Sequence, residues 1–87
     1  MRTFLITVAL LAIVAIPAKA DRSVTNAERA KLIPAVEAQG CTGGKMEWDD
    51  DDREFEVEDA VCADGRKYDL NFDANYLFKG KEEENDD

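Results

Sequence analysis

Four consecutive carboxylates, Asp49-Asp50-Asp51-Asp52, carry the most conspicuous chemistry in this chain. Carboxylate oxygens are the ligands that a hard cation such as Ca²⁺ prefers. With Asp49 placed first in an EF-hand loop, Glu54 stands where a Gly is required and Ala60 where the closing Glu is required. Asp69, Asn71, Asp73 and Asn75 repeat the spacing and fail at the same two positions, with Ala74 and Gly80. They alternate with Leu70 and Phe72, as the wet side of a half-buried strand does. Asp49 to Asp52 are therefore expected to form a solvated hairpin loop whose charge opposes aggregation. A weak cation site on the same four residues is the alternative, and no cofactor is assigned.

Catalytic sets are missing. The chain has no His, and Ser23 lies ahead of the first expected element. No nucleophile–base pair of the usual kind can be assembled, so no enzyme is expected.

The two cysteines, Cys41 and Cys62, depend on compartment. Residues 1–20 have a positive start at Arg2 and an apolar run from Phe4 to Ile16 broken only by Thr7. Pro17 and the small-residue site Ala18-Lys19-Ala20 follow. This is the three-part pattern of a secretory signal peptide cut between Ala20 and Asp21. The run is too short to span a membrane, which takes about 20 apolar residues. Export to a periplasmic or extracellular location makes the cysteine pair a disulfide. Without Arg2 and Lys19, nine Lys and Arg face twenty Asp and Glu, a net charge of −11. Such a chain repels nucleic acid and anionic membranes and suits a basic surface.

The remaining chain, 21–87, has room for one domain with a thin core. Thr25-Asn26-Ala27-Glu28 matches a capping box, and a helix is expected from about Asn26 to Gln39, ended by Gly40. Leu32, Ile33 and Val36 would form its buried face, and Pro34 would kink or divide it. Beyond Gly40 the period becomes two. Met46 and Trp48, then Phe55 and Val57, then Tyr68, Leu70 and Phe72 alternate with charged residues. Asp64-Gly65 marks a hairpin, Asp73-Ala74-Asn75 a turn, and Tyr76 to Phe78 a short last strand. Trp48 is expected in the core. The fold class is α+β: one N-terminal helix on a three- to four-stranded antiparallel sheet, with one disulfide. Residues 81–87 carry no apolar side chain and read as an acidic disordered tail, so the domain itself is 21–80.

A hairpin turning at Asp50 to Arg53 sets Trp48 opposite Phe55 and Met46 opposite Val57. The same register sets Cys41 opposite Cys62, close enough to bridge. Strict alternation would put that pair on the face away from Trp48. Bulges at Gly43-Gly44 and Asp59-Ala60 would turn it inward.

Helix, Gly40, the Glu-rich strand Phe55-Glu56-Val57-Glu58, the Asp64-Gly65 turn and the strand Lys67 to Asp73 followed by Tyr76-Leu77-Phe78 together resemble the PepSY family. These are small exported domains, also found in propeptides of secreted metallopeptidases. The family often has Thr-Gly in the last turn, where this chain has Ala74-Asn75, and the cysteines are an addition. The resemblance implies a binding module that modulates or inhibits a peptidase or another envelope protein, without catalytic residues. An acidic calcium-binding or buffering protein is the alternative. Tyr76 and Phe78 share a face, so Leu77 is the expected exposed contact for a protein partner.

Overall fold

The computed structural model describes residues 21–84. Residues 1–20, where a signal peptide ending at Ala20 is expected, lie outside the described residues, as do residues 85–87. Within them the order is β1 (Asp21–Ser23), α1 (Asn26–Ala38), β2 (Cys41–Thr42), β3 (Lys45–Asp49), β4 (Glu54–Cys62), β5 (Lys67–Asp73) and β6 (Phe78–Glu83).

The helix starts where its capping box stands. Thr25 Oγ1 accepts from the Glu28 N–H at 3.1 Å, and Glu28 Oε1 accepts from the Thr25 N–H at 2.8 Å. Two otherwise orphaned donors are thereby satisfied. At the other end the Gly40 N–H donates to the Glu37 carbonyl at 2.9 Å, with Gly40 at φ +78°. Leu32 and Val36 are buried, but Ile33 is 42% exposed, so the face is narrower than the expected trio. One residue along a helix is a rotation of about 100°, which carries Ile33 off the sheet. The helix is also not divided at Pro34. Pro34 and Ala30 are both exposed, so the carbonyl that loses its donor faces solvent.

All strands are antiparallel, in the order β1-β3-β4-β5-β6, with β2 also pairing β4. The sheet thus has six strands, more than the three or four expected. The extra ones are short or charged and take their stability from neighbours. In β1 the Arg22 guanidinium binds both Glu28 oxygens, at 2.9 and 3.0 Å, and lies 6.0 Å from the Trp48 ring centroid. Ser23 therefore belongs to the sheet. In β6, Lys81 Nζ lies 4.5 Å from the Tyr68 ring centroid, and Arg66 pairs with Glu83 at 3.0 Å. Lys81 to Glu83 are strand, and the expected tail boundary at Lys81 is corrected accordingly.

The last turn also differs. Tyr76 to Leu77 do not start a strand; they close a turn built on Asp73. The Asp73 carboxylate accepts from the Asn75 N–H at 2.8 Å and the Leu77 N–H at 3.0 Å. Positive φ falls on Tyr76 (67°) and not on Asn75. Its ring is stacked on Phe55 at 4.9 Å and has Lys31 Nζ 5.6 Å away, contacts that offset a conformation unfavourable for an aromatic residue.

The register of β3 and β4 sets Trp48 against Phe55 and Met46 against Val57, and β2 sets Cys41 against Cys62. The cysteines form a disulfide and sit in the same buried cluster as Met46, Trp48, Phe55, Val57, Ala60, Leu70 and Phe72. Two irregularities bring them there. Between Val57 and Ala60 the β4–β5 register shifts, with Asp59 at φ 60°. Asp69 Oδ1 accepts the Asp59 N–H at 3.0 Å, replacing the ladder bond that the bulge removes. Opposite it, Gly43 and Gly44 both have positive φ. A Cβ on Gly44 would lie 2.6 Å from Val57 Cγ1 and 3.0 Å from the Glu58 carbonyl oxygen, whereas one on Gly43 would meet nothing. The closed loop should contribute roughly 3 kcal/mol through chain entropy.

These two glycines separate backbone preference from packing. Gly43→Ala is expected to destabilise by about 1–2 kcal/mol, the left-handed penalty alone. Gly44→Ala should cost roughly 2–4 kcal/mol, because overpacking against β4 is added. Urea denaturation of the two variants measures the difference; equal losses would mean that the approach of Gly44 to Val57 is relieved at no cost.

Candidate functional site

The sheet has one face under α1 and one without a covering element among the described residues. Alternation fixes which side chains go to each. Met46, Trp48, Phe55, Val57, Leu70 and Phe72 take the helix side. Lys45, Glu47 and Asp49 of β3, Glu54, Glu56 and Glu58 of β4, and Asp69, Asn71 and Asp73 of β5 take the other. Directly facing pairs there include Glu47 with Glu56, Lys45 with Glu58, and Glu56 with Asn71. Like charges directly opposite on a sheet repel.

Cations compensate only the margins of this surface. Lys45 pairs with Glu47 at 3.2 Å. Lys79 pairs with Glu54 at 2.8 Å, and the Asn71 amide also donates to Glu54 at 3.0 Å. Glu56 has no ion pair among the described residues. Burial, then the charges of Asp49, Asp21, Glu54 and Glu58, push its carboxyl up to about 7. Glu58 is raised too, by burial and then by Glu47 and Asp69, with Lys45 opposing. A shallow groove beside them is lined by Glu56, Glu58, Asp69, Leu70, Asn71 and Glu82. On the chain's other carboxylate of note, the hydrogen bond from Arg22 holds Glu28 down at about 2.

The Asp49–Asp52 run is placed in the β3–β4 turn, with Asp50, Asp51 and Asp52 exposed. Asp49 Oδ1 accepts from the Asp51 and Asp52 N–H groups at 3.0 and 3.3 Å. Asp50 Oδ1 accepts from Trp48 Nε1 at 3.3 Å and lies 3.6 Å from the Arg53 guanidinium. Asp52 is raised above its ordinary value, first by the charge of Asp49. Among the described residues two carboxylate triplets come within 4.8 Å, Asp21 with Glu47 and Glu56, and Asp59 with Asp69 and Glu84, and neither draws on residues 50–52. Sequence reasoning passed over Glu56, although the register that paired Trp48 with Phe55 already set it against Glu47.

A second surface lies at the sheet edge. Among the described residues β6 is a terminal strand, paired with β5 on one side only. Leu77 is 62% exposed and Phe78 40% exposed at its start, with the Phe78 ring 5.8 Å from that of Phe72. Leu77 is thus displayed on the turn beside the edge, not on a strand.

A single helix on an antiparallel sheet with one acidic face defines a small α+β domain. A family model described as peptidase propeptide and YPEB domain matches residues 2–77. The chain belongs to this family, the PepSY domains. No curated protein and no solved structure matches the chain.

Glu56 gives this surface a measurable pH dependence. Its folded-state value lies above the ordinary 4.5, so its contribution to stability is full below 4.5 and is lost as pH rises through about 7. In a chain that retains residues ahead of Asp21, the melting temperature is expected to fall between pH 5 and pH 8. Glu56→Gln should flatten that fall. Equal slopes for the two chains in this window would remove Glu56 as its source.

Proposed function

We propose that this chain is an exported binding module that acts without turnover. Its partner is a protein, a peptidase or another envelope component, which it modulates or inhibits by strand addition at β6. The observation that carries the reading is the outer side of β6, unpaired among the described residues, with Leu77 and Phe78 exposed at its start. An edge strand offers unpaired backbone donors and acceptors to an extended segment, and adjacent apolar side chains set where that segment docks. Lysines often guard such edges. Here Lys79 is drawn to Glu54 and Lys81 to the Tyr68 ring, both back over the sheet.

Further support comes from the family description, which names peptidase propeptides. A non-catalytic role agrees with the lack of His in the sequence. A periplasmic or secreted location agrees with the disulfide. Among the described residues no helix is long and apolar enough to cross a membrane.

Leu77→Asp tests the edge. The side chain is exposed, so the variant should keep its stability within about 0.5 kcal/mol. It should also lose at least about tenfold in capture of the partner retained by wild-type protein from an exported-protein extract. A destabilised variant would show that Leu77 serves the fold. Undiminished capture of the same partner would place binding elsewhere.

A further inference from the structure

The β4–β5 turn sets two reactive groups next to each other. Asp64-Gly65 is the only Asp-Gly step in the chain, and the sequence has no Asn-Gly step. Cys62 and Arg66 close a loop of residues 63–65. The Cys62 N–H donates to the Arg66 carbonyl at 3.0 Å, and the Gly65 N–H donates to the Cys62 carbonyl at 2.8 Å. Gly65 stands at φ +84°, the left-handed position that such hairpin loops give to glycine. The turn therefore demands the one residue with no side chain to shield the carboxyl group ahead of it. In an Asp-Gly step the Gly nitrogen can attack the Asp Cγ. The nitrogen loses its proton, a carboxyl oxygen leaves as water, and a cyclic succinimide forms. Water then reopens the ring. Addition at Cγ restores aspartate, whereas addition at the main-chain carbonyl leaves the chain running through Cγ, as isoaspartate. The water lost is regained, so composition is unchanged.

Each group that this reaction needs is held in another bond. Asp64 Oδ1 accepts from the Arg66 N–H at 2.9 Å, and Asp64 Oδ2 accepts from the Tyr68 hydroxyl. These bonds, that of Tyr68 first, hold the Asp64 carboxyl below its ordinary value, so an oxygen cannot leave as water without first gaining protons. The Gly65 nitrogen keeps its proton on the Cys62 carbonyl. The Tyr68 ring is steadied by Lys81 Nζ, 4.5 Å from its centroid, and Cys62 by its disulfide to Cys41. We propose that Asp64 is a site of spontaneous isomerisation kept dormant by the folded turn, with Tyr68 and the disulfide-bound Cys62 as its guards. Isomerisation adds one carbon to the main chain of this short loop, so the Gly65 and Arg66 bonds to Cys62 cannot both re-form. A chain that has spent time unfolded or reduced thus carries a lasting covalent record of it, at the turn that ends β4.

Ageing of the protein at neutral pH tests this. Isoaspartate at residue 64 is read in the tryptic peptide 54–66, by its resistance to an aspartate-directed endoprotease and by isoaspartyl methyl-transfer labelling. In the folded, oxidised protein the rate should be at least about tenfold lower than in the same chain reduced and unfolded in urea, because only the open turn reacts. Equal rates would overturn the proposal. Tyr68→Phe keeps the ring and removes the hydroxyl. It should isomerise roughly three- to tenfold faster than wild type, the fold-change that one hydrogen bond carries. Wild type brought by urea to the global stability of Tyr68→Phe should remain slower than the variant; a matching rate would mean that Tyr68 acts only through overall stability, and would overturn its guarding role. Reduction without denaturant should also speed the reaction. An unchanged rate with both thiols free would remove the disulfide from the proposal.

Discussion

The fold depends on a change of parity in β4. This central strand must present Phe55 and Val57 to the helix, and then Ala60 and Cys62 to the same side. Strict alternation would bury residues 55, 57, 59 and 61 and put the acidic Asp59 into the core. The bulge at Asp59 inserts the extra residue, and its backbone is held by the Asp69 carboxylate. The partner side must yield as well, which Gly43 and Gly44 allow at positive φ, with Gly44 against Val57. Only then do Cys41 and Cys62 meet inside the core, and only then is the C-terminal end of α1 tied to the middle of the sheet.

Much of this is legible in the sequence. The capping box at Thr25 and Glu28 is a local contact, satisfied by spacing alone. The register of β3 on β4 follows from a short turn and two apolar pairs, and the cysteines confirm it by falling opposite each other. Segments without an apolar pattern escaped. Nothing in Asp21-Arg22-Ser23 predicts a strand; Arg22 acts through Glu28 and Trp48, which the fold brings to it. Lys81 to Glu83 look like a solvated tail, yet they pair with β5 through a ring and a guanidinium. Tyr76 takes the left-handed conformation that composition would give to Asn75, because stacking on Phe55 outweighs local preference. The candidate surfaces divide in the same way. Exposure of Leu77 follows from its flanking aromatics, whereas the position of Glu56 among like charges appears only when β1, β3 and β4 are side by side.

The two faces of the sheet have opposite physics. The helix side excludes water and gains from every apolar atom it buries. The other side gathers like charges that a short, thin-cored domain tolerates only because water and a few marginal cations screen them. Apolar packing and charge are thus assigned to different sides of one sheet, so the charged surface can change without disturbing the core.

Trp48 is the only tryptophan in the chain. Its ring lies edge-on to Phe55 at 4.7 Å, with the Arg22 and Arg53 guanidinium groups 6.0 and 5.5 Å from its centroid. Its indole N–H donates to Asp50. One chromophore therefore touches the first strand, the acidic turn and the core together. Its emission gives the domain a built-in optical reporter, in which lifting of β1, rearrangement of the turn and loss of packing each remove a different neighbour from the same ring.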